Sequence, residues 1–208
     1  MISTQLRKIS RWLVLLSVCA AFSGCIGKQS PAVAYYSLLS MEQMDETAAV
    51  QSRPDLRIGI GPITIPDPLK RTQFVTRDAN NVYAFDEYHR WAGILEKDIT
   101  VVLGDNLGDL LGAEKIGFFP WMHHFMPTHR VIIDIVQFDG DLLGDATLSA
   151  RWAIADAEGK VSLGSGKSVY RQAVMGGDYA GLLKAESILL AELSKEIAKT
   201  IKALPRQN

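Results

Sequence analysis

Beyond position 25 the chain contains no cysteine, since its two, Cys19 and Cys25, both lie in the first 25 of 208 residues. A disulfide framework, a Cys-ligated zinc site and a cysteine nucleophile are therefore excluded from the body of the protein. An excess of either charge is missing as well. The 22 Lys and Arg nearly balance 23 Asp and Glu, so the chain has none of the basic excess by which nucleic-acid-binding proteins hold phosphate. No apolar run reaches the roughly 20 residues that a helix needs to cross a bilayer. The sequence has no phosphate-binding loop, no G-x-S-x-G elbow and no H-E-x-x-H pair. Gly164-Ser165-Gly166-Lys167-Ser168 has the letters of a P-loop end, but it lies inside an expected strand with no helix after it. Histidine is scarce. His89 stands alone, and His123, His124 and His129 could offer three zinc ligands. Adjacent histidines of an extended chain point to opposite faces, and no acidic neighbour completes the shell, so polar loop surface is the favoured reading. No metal, cofactor or catalytic residue is expected.

What is present is the composition of an ordinary globular chain, 48% hydrophobic with 17 Gly and 8 Pro, of a length that suits one domain. It is preceded by a targeting segment. Arg7, Lys8 and Arg11 form a basic start, an 11-residue apolar stretch runs from Trp12 to Phe22, and the small pair Ser23-Gly24 stands directly before Cys25. This order resembles the lipobox of bacterial lipoprotein signal peptides, with Phe22 where Leu is commoner. Residues 1–24, with Cys19, would be cleaved, and Cys25 would carry a diacylglycerol and an N-acyl chain, enough for stable anchoring without a span. By the sorting rule of such lipoproteins, Ile26 after the cysteine favours the outer membrane. Removing 1–24 takes away three of the 22 positive charges and no negative one, leaving 19 against 23, a net of −4.

Residues 25–32 read as the lipidated N-terminus and tether, and 33–205 as an α+β domain. Strands are expected at 33–39, 55–65, 131–138, 146–155 and 161–174, and a hairpin at 72–77 and 81–85 around the turn residues Asp78-Ala79-Asn80-Asn81. Pro62, Pro66 and Pro68 should end regular pairing after 55–65. Two helical periods follow. One covers 87–111, with Trp91, Leu95, Ile99, Leu103, Leu107 and Leu111 in one stripe, Asp86 as its N-cap and Gly112 as its stop; the other covers 179–204, its apolar face interrupted by Glu186. The expected architecture is a mixed or mainly antiparallel sheet of six to seven strands carrying two long amphipathic helices, with Trp91 and Trp152 in the core.

Several short strings, in order along the mature chain, carry a family resemblance: Tyr35-Tyr36-Ser37-Leu38, Gly61-Pro62-Ile63-Thr64-Ile65-Pro66-Asp67-Pro68-Leu69-Lys70-Arg71, Gln73-Phe74-Val75-Thr76-Arg77 and Arg90-Trp91-Ala92-Gly93. Asp105-Asn106-Leu107, Phe119-Pro120-Trp121, Ala150-Arg151-Trp152 and Asp178-Tyr179-Ala180 continue the series. Together they resemble the PqiC-like (YmbA) lipoproteins, also called ABC-type transport auxiliary lipoproteins. The family pattern usually has Asp where this chain has Lys70, so no role of an acid there carries over. The resemblance implies a lipoprotein at the periplasmic face of the outer membrane of a Gram-negative bacterium. It implies service to an MCE-domain lipid transporter, docking a periplasm-spanning, PqiB-like tube and through it an inner-membrane permease. A homo-oligomer, such as a ring around a symmetric tube, fits that picture.

Two segments are the candidate partner contacts. In the proline loop, Pro62, Pro66 and Pro68 give stiffness, and Asp67, Lys70 and Arg71 offer polar groups; a rigid connection between strands is the equal alternative. In the aromatic segment 118–127, Phe119 and Trp121 are expected on the core, and Met122, Phe125 and Met126 at the surface. The competing functions are a lipid carrier or envelope-assembly lipoprotein with its own apolar cavity, and, more remotely, a metal enzyme built on the histidines.

Overall fold

Among the described residues, eight strands and two long helices are laid out in the order β1 (Ala34–Tyr36), β2 (Arg57–Thr64), β3 (Gln73–Arg77), β4 (Tyr83–Trp91), α1 (Leu95–Leu111), β5 (Lys115–Phe118), β6 (His129–Gly140), β7 (Asp145–Ala155), β8 (Ser162–Ala173) and α2 (Tyr179–Ala203). The computed structural model describes residues 30–46, 50–122 and 124–205; the expected signal peptide 1–24, the expected lipidation site Cys25, most of the expected tether and His123 lie outside the described residues. Among the described residues no helix is long and apolar enough to cross a membrane.

The strands form one mixed sheet. Parallel pairs join β1 to β4, β2 to β5 and both β2 and β3 to β6, while β3–β4, β6–β7 and β7–β8 are antiparallel. β7 shows why such sequences become strands: Ala146, Leu148, Ala150, Trp152 and Ile154 are all buried and alternate with the less buried Thr147, Ser149, Arg151 and Ala153. Both helices cover that same side. Leu95, Ile99, Leu103, Leu107 and Leu111 of α1 join Leu182, Leu189, Leu190, Leu193 and Ile197 of α2 in one continuous core with the inward residues of β2, β6 and β7. Gly112 ends α1 in the left-handed region at φ 62°, where a Cβ is unfavourable, and Asp178 caps α2 by accepting a hydrogen bond from Gly181 N at 2.8 Å.

The structure departs from the sequence reading at four places. The sheet has eight strands rather than six or seven, because the four-residue β5 was unforeseen. Residues 87–91 belong to β4 and not to α1, which starts at Leu95 with Ile94 as an N-cap that makes no side-chain bond. Asp86 instead holds a bulge: its Oδ1 accepts from Tyr88 N and His89 N and contacts His89 Nδ1 at 2.8 Å, and its Oδ2 accepts from Tyr179. Burial works upward on this carboxyl, but those hydrogen bonds outweigh it and hold it below the usual range. Finally, Pro62 does not end β2. It sits where the β2–β6 register slips between Ile60 and Ile63, a place that needs no N–H, and the strand continues to Thr64.

Polar side chains of the helices fasten the segment after β1. Leu38 N donates to Asp98 Oδ2 at 2.8 Å, Leu39 N to Ser187 Oγ at 3.0 Å and Met41 N to Asn106 Oδ1 at 2.8 Å, so a non-repetitive stretch under buried Leu38 and Met41 keeps its backbone donors satisfied. Glu186 is different. It interrupts the apolar face of α2, is fully buried, and its Oε2 has no hydrogen-bond partner among the described residues. Burial, with the Asp139 charge adding to it, raises its pKa well above the ordinary value. The unfolded chain releases this proton in the ordinary carboxyl range while the folded chain keeps it, so stability falls as pH rises from there through the raised value. Glu186→Gln, which cannot ionise, should leave the melting temperature almost unchanged near pH 4 and raise it at pH 8, where the gain in unfolding free energy is about 1.4 kcal/mol for each pH unit of the window crossed; calorimetry at the two pH values checks this.

Candidate functional site

The two segments singled out by sequence meet. Phe119 N donates to Ile60 O at 2.9 Å, and the Phe119 Cβ lies 3.0 Å from the point where a Cβ would stand on Gly61. Between them opens a groove of about 550 Å³ lined by Pro62, Ile63, Val101, Phe118, Phe119 and Pro120, with Glu96 and Lys97 at its rim. A second groove, of about 340 Å³, lies on the other side of Glu96 and is lined by Ile65, Leu69, Lys70, Arg71 and Ile94. Apolar Ile94, Val101 and Phe118 are exposed here, and Phe119 is 52% exposed. The first two turns of α1 therefore divide one shelf of apolar surface into two troughs.

The proline loop holds its shape through one turn of 3-10 helix, Asp67–Leu69, whose Leu69 is buried. Exposed Asp67 and Lys70 pair at 2.7 Å, which lowers the carboxyl pKa and raises that of the ammonium. Both partners are solvated, so the pair shapes the surface more than it stabilises the fold. The Arg71 guanidinium stands 3.9 Å over the Phe85 ring of β4. Pro62, Asp67, Lys70 and Arg71 are exposed and Pro66 and Pro68 half-buried, so the loop is at once a stiff connection and an accessible surface.

In the aromatic segment the structure reverses two expectations. Phe119 is exposed, while Phe125 is half-buried, and the reason lies in glycines on the sheet face away from the helices. Gly59 of β2 pairs with Gly117 of β5. A Cβ on Gly59 would stand 2.8 Å from Trp121 Cη2, and one on Gly117 would overlap the Phe125 ring. The segment 119–127 folds back over this flat strip, with Trp121 and Phe125 on it and Arg130 beside Trp121 at 5.8 Å. Phe119 has no such seat. Met122 and Met126 are exposed as expected, at 70% and 72%. The signal available in the sequence was a glycine in each segment, Gly59 and Gly117, since such a residue lets a ring approach the backbone; that the two pair is a property of the sheet.

His124 is exposed, and His129 is buried at the start of β6 with its pKa lowered by burial and by Arg53. Among the described residues no group of three His, Cys, Asp or Glu is placed to hold a metal ion. Gly164–Ser168 lies within β8, where Ser168 Oγ accepts from Trp152 Nε1 at 2.9 Å and donates to Glu196.

The described residues form a two-layer α+β body with a shelf of exposed apolar side chains beside α1. The chain belongs to the ABC-type transport auxiliary lipoprotein component family, whose model matches residues 36–198. The family is one of membrane-anchored bacterial lipoproteins that serve transport, not one of enzymes. A crystal structure of an uncharacterized protein is similar over 82% of this chain and 99% of its own, with 18% identity and a TM-score of 0.65. A Xanthomonas campestris protein of the DUF330 family is similar over 81% of this chain and 97% of its own, with 12% identity and a TM-score of 0.62. At these identities the likeness speaks for the fold. No curated protein matches the chain.

Gly117→Val should expel Phe125 and loosen the segment, destabilising the protein by about 1–3 kcal/mol as overpacked sites do. Faster proteolytic cleavage confined to 119–127, measured beside the wild-type chain, checks it.

Proposed function

We propose that this chain is an outer-membrane-anchored accessory lipoprotein of an MCE-type lipid transport system, which docks the periplasm-spanning tube subunit and so supports envelope integrity. The acylated Cys25 supplies the anchor, and the chain itself performs no catalysis. The observation that carries the reading is the joined apolar shelf of Pro62, Val101, Phe118 and Phe119, because exposed aromatic and branched side chains around open grooves suit a protein partner. The core supports docking over carriage of lipid: the space between sheet and helices is occupied by a continuous cluster of side chains. Self-assembly into a ring would repeat the shelf around a symmetric tube.

The test is affinity purification of the lipidated protein from its native envelope. Wild type should bring down an MCE-domain chain. Phe119→Asp combined with Val101→Asp should reduce that yield at least tenfold while the melting temperature stays within a few degrees, since both side chains are already exposed. A lone acylated protein carrying phospholipid would instead support the carrier.

A further inference from the structure

The molecule has a second set of exposed apolar side chains, and it lies at one end. β6 contains 12 residues, so at about 3.3 Å per residue its ends stand about 36 Å apart. Three connections meet where β6 finishes: the β3–β4 turn at 78–82, the β6–β7 turn at 141–144 and the link 174–178 into α2. Val174 N donates to Gly144 O at 2.9 Å, Leu143 Cδ2 lies 3.2 Å from the Cβ position of Gly177, and Asp78, Asn81, Asp141 and Gly144 line one cleft. Each connection holds out one apolar side chain: Val82 is 60% exposed, Leu143 89% and Met175 73%. Two of these tips are organised, since Asp78 Oδ1 accepts from Val82 N at 2.9 Å and Asp141 Oδ1 accepts from Leu143 N at 3.0 Å.

The path of the N-terminus says what covers this pole. β1 runs parallel to β4, and β4 leaves the 78–82 turn, so the chain enters β1 from this same end. From Cys25 to Ala34 is nine residues, at most about 30 Å of extended chain. From Tyr83 to His89, the partner of Ala34, β4 advances at most about 20 Å, and less because of its bulge. The chain between Cys25 and Ala34 is therefore long enough for an acyl anchor to reach the level of the three tips.

We propose that this pole rests on the bilayer surface, with Val82, Leu143 and Met175 among the lipid headgroups and Tyr83, under the Arg77 guanidinium at 5.3 Å, at the polar boundary. The acyl chains hold the protein on the membrane; the tips set its orientation. Asp78, Asp141 and Asp145 outnumber Arg171 at the same pole, where Arg77 is paired with Asp139, so the contact is apolar in kind and anionic lipid weakens it. The proposal rests on the anchored-lipoprotein reading and adds a direction to it. Pro62 and Phe119 lie level with the first third of β6, about 26 Å back from the pole, so the docking shelf faces away from the membrane.

The absence of cysteine after Cys25, whose sulfur is blocked by acylation, allows a single dye to be placed at will. The lipidated full chain is prepared with Leu143→Cys, Met175→Cys, Met126→Cys or Lys167→Cys, labelled, and incorporated into vesicles of phosphatidylethanolamine and phosphatidylcholine containing a doxyl-lipid quencher. Quenching at 143 and 175 should exceed that at 126 and 167 at least threefold and should fall as phosphatidylglycerol replaces the zwitterionic lipid. Equal, low quenching at all four positions in protein that floats with the vesicles overturns the orientation and leaves the docking reading standing. Shielding of 143 and 175 by cross-linkable neighbouring copies, without lipid quenching, assigns the pole to self-contact and overturns it too. Protein that does not float with the vesicles removes the anchor and this proposal with it.

Discussion

Strand β6 is hydrogen-bonded on both edges, and the rest of the molecule takes its position from that. One edge pairs with β7 from Arg130 to Gly140. The other is shared end to end, by β2 from His129 to Asp134 and by β3 at Gly140. A strand of 12 residues buried between neighbours leaves a row of donors and acceptors that must all be met, and no single short strand covers that length. The bulge at Gly61-Pro62 and the proline loop after it are the solution: β2 ends at Thr64, and after the loop the chain returns as β3 beside the far end. The proline loop is thus a by-product of sheet construction, which explains why its backbone is fixed while its outer side chains are exposed.

The second consequence is a division of surfaces. Both helices lie on one side of the sheet, so the apolar mass sits between layers, and the opposite face carries solvated pairs such as Thr64, Asp134 and Arg151. Exposed hydrophobic groups include solitary ones along strands, such as Phe85, Val136 and Val169, and two sets at places where strands end: the β5–β6 segment with the start of α1, and the three tips beyond β6. Scattered apolar side chains on a surface need no explanation, whereas clustering at separated positions along one axis does. Asn106, Ser187 and Asp98 reinforce the division by holding residues 38–41 against the helices.

Period and alternation in the sequence were enough for β6, β7, β8, α2, the stripe from Leu95 to Leu111 and the stop at Gly112. They failed where a local signal had two physical meanings. Trp91 stands four residues before Leu95 and so continues the helical stripe, yet its ring stacks on Phe74 at 4.1 Å from the end of a strand. Asp86 has the chemistry of a helix cap, and that same chemistry, a carboxylate accepting successive backbone N–H groups, closes a β-bulge. β5 gave no signal because four residues with a glycine show neither alternation nor length. In the candidate site the two loops were legible as compositions, but their meeting was not, since it depends on β2 and β5 being neighbours. The exchange of roles between Phe119 and Phe125 follows from the same blindness: a glycine strip forms only once Gly59 and Gly117 are side by side.

These features favour a rigid spacer over a vessel. A carrier must open an apolar interior to its cargo, and here the interior is closed by large, fully buried side chains such as Phe74, Phe138 and Leu103. A docking body needs the reverse, a filled core that transmits position from one end to the other. The shelf beside α1 and the tips beyond β6 are joined by a continuous ladder of hydrogen bonds, so tilting the molecule at the membrane moves the shelf by a proportionate distance. For a lipid-anchored protein on a short tether, whose acyl chains fix height but not angle, apolar tips at the anchored end are the device that would convert attachment into orientation.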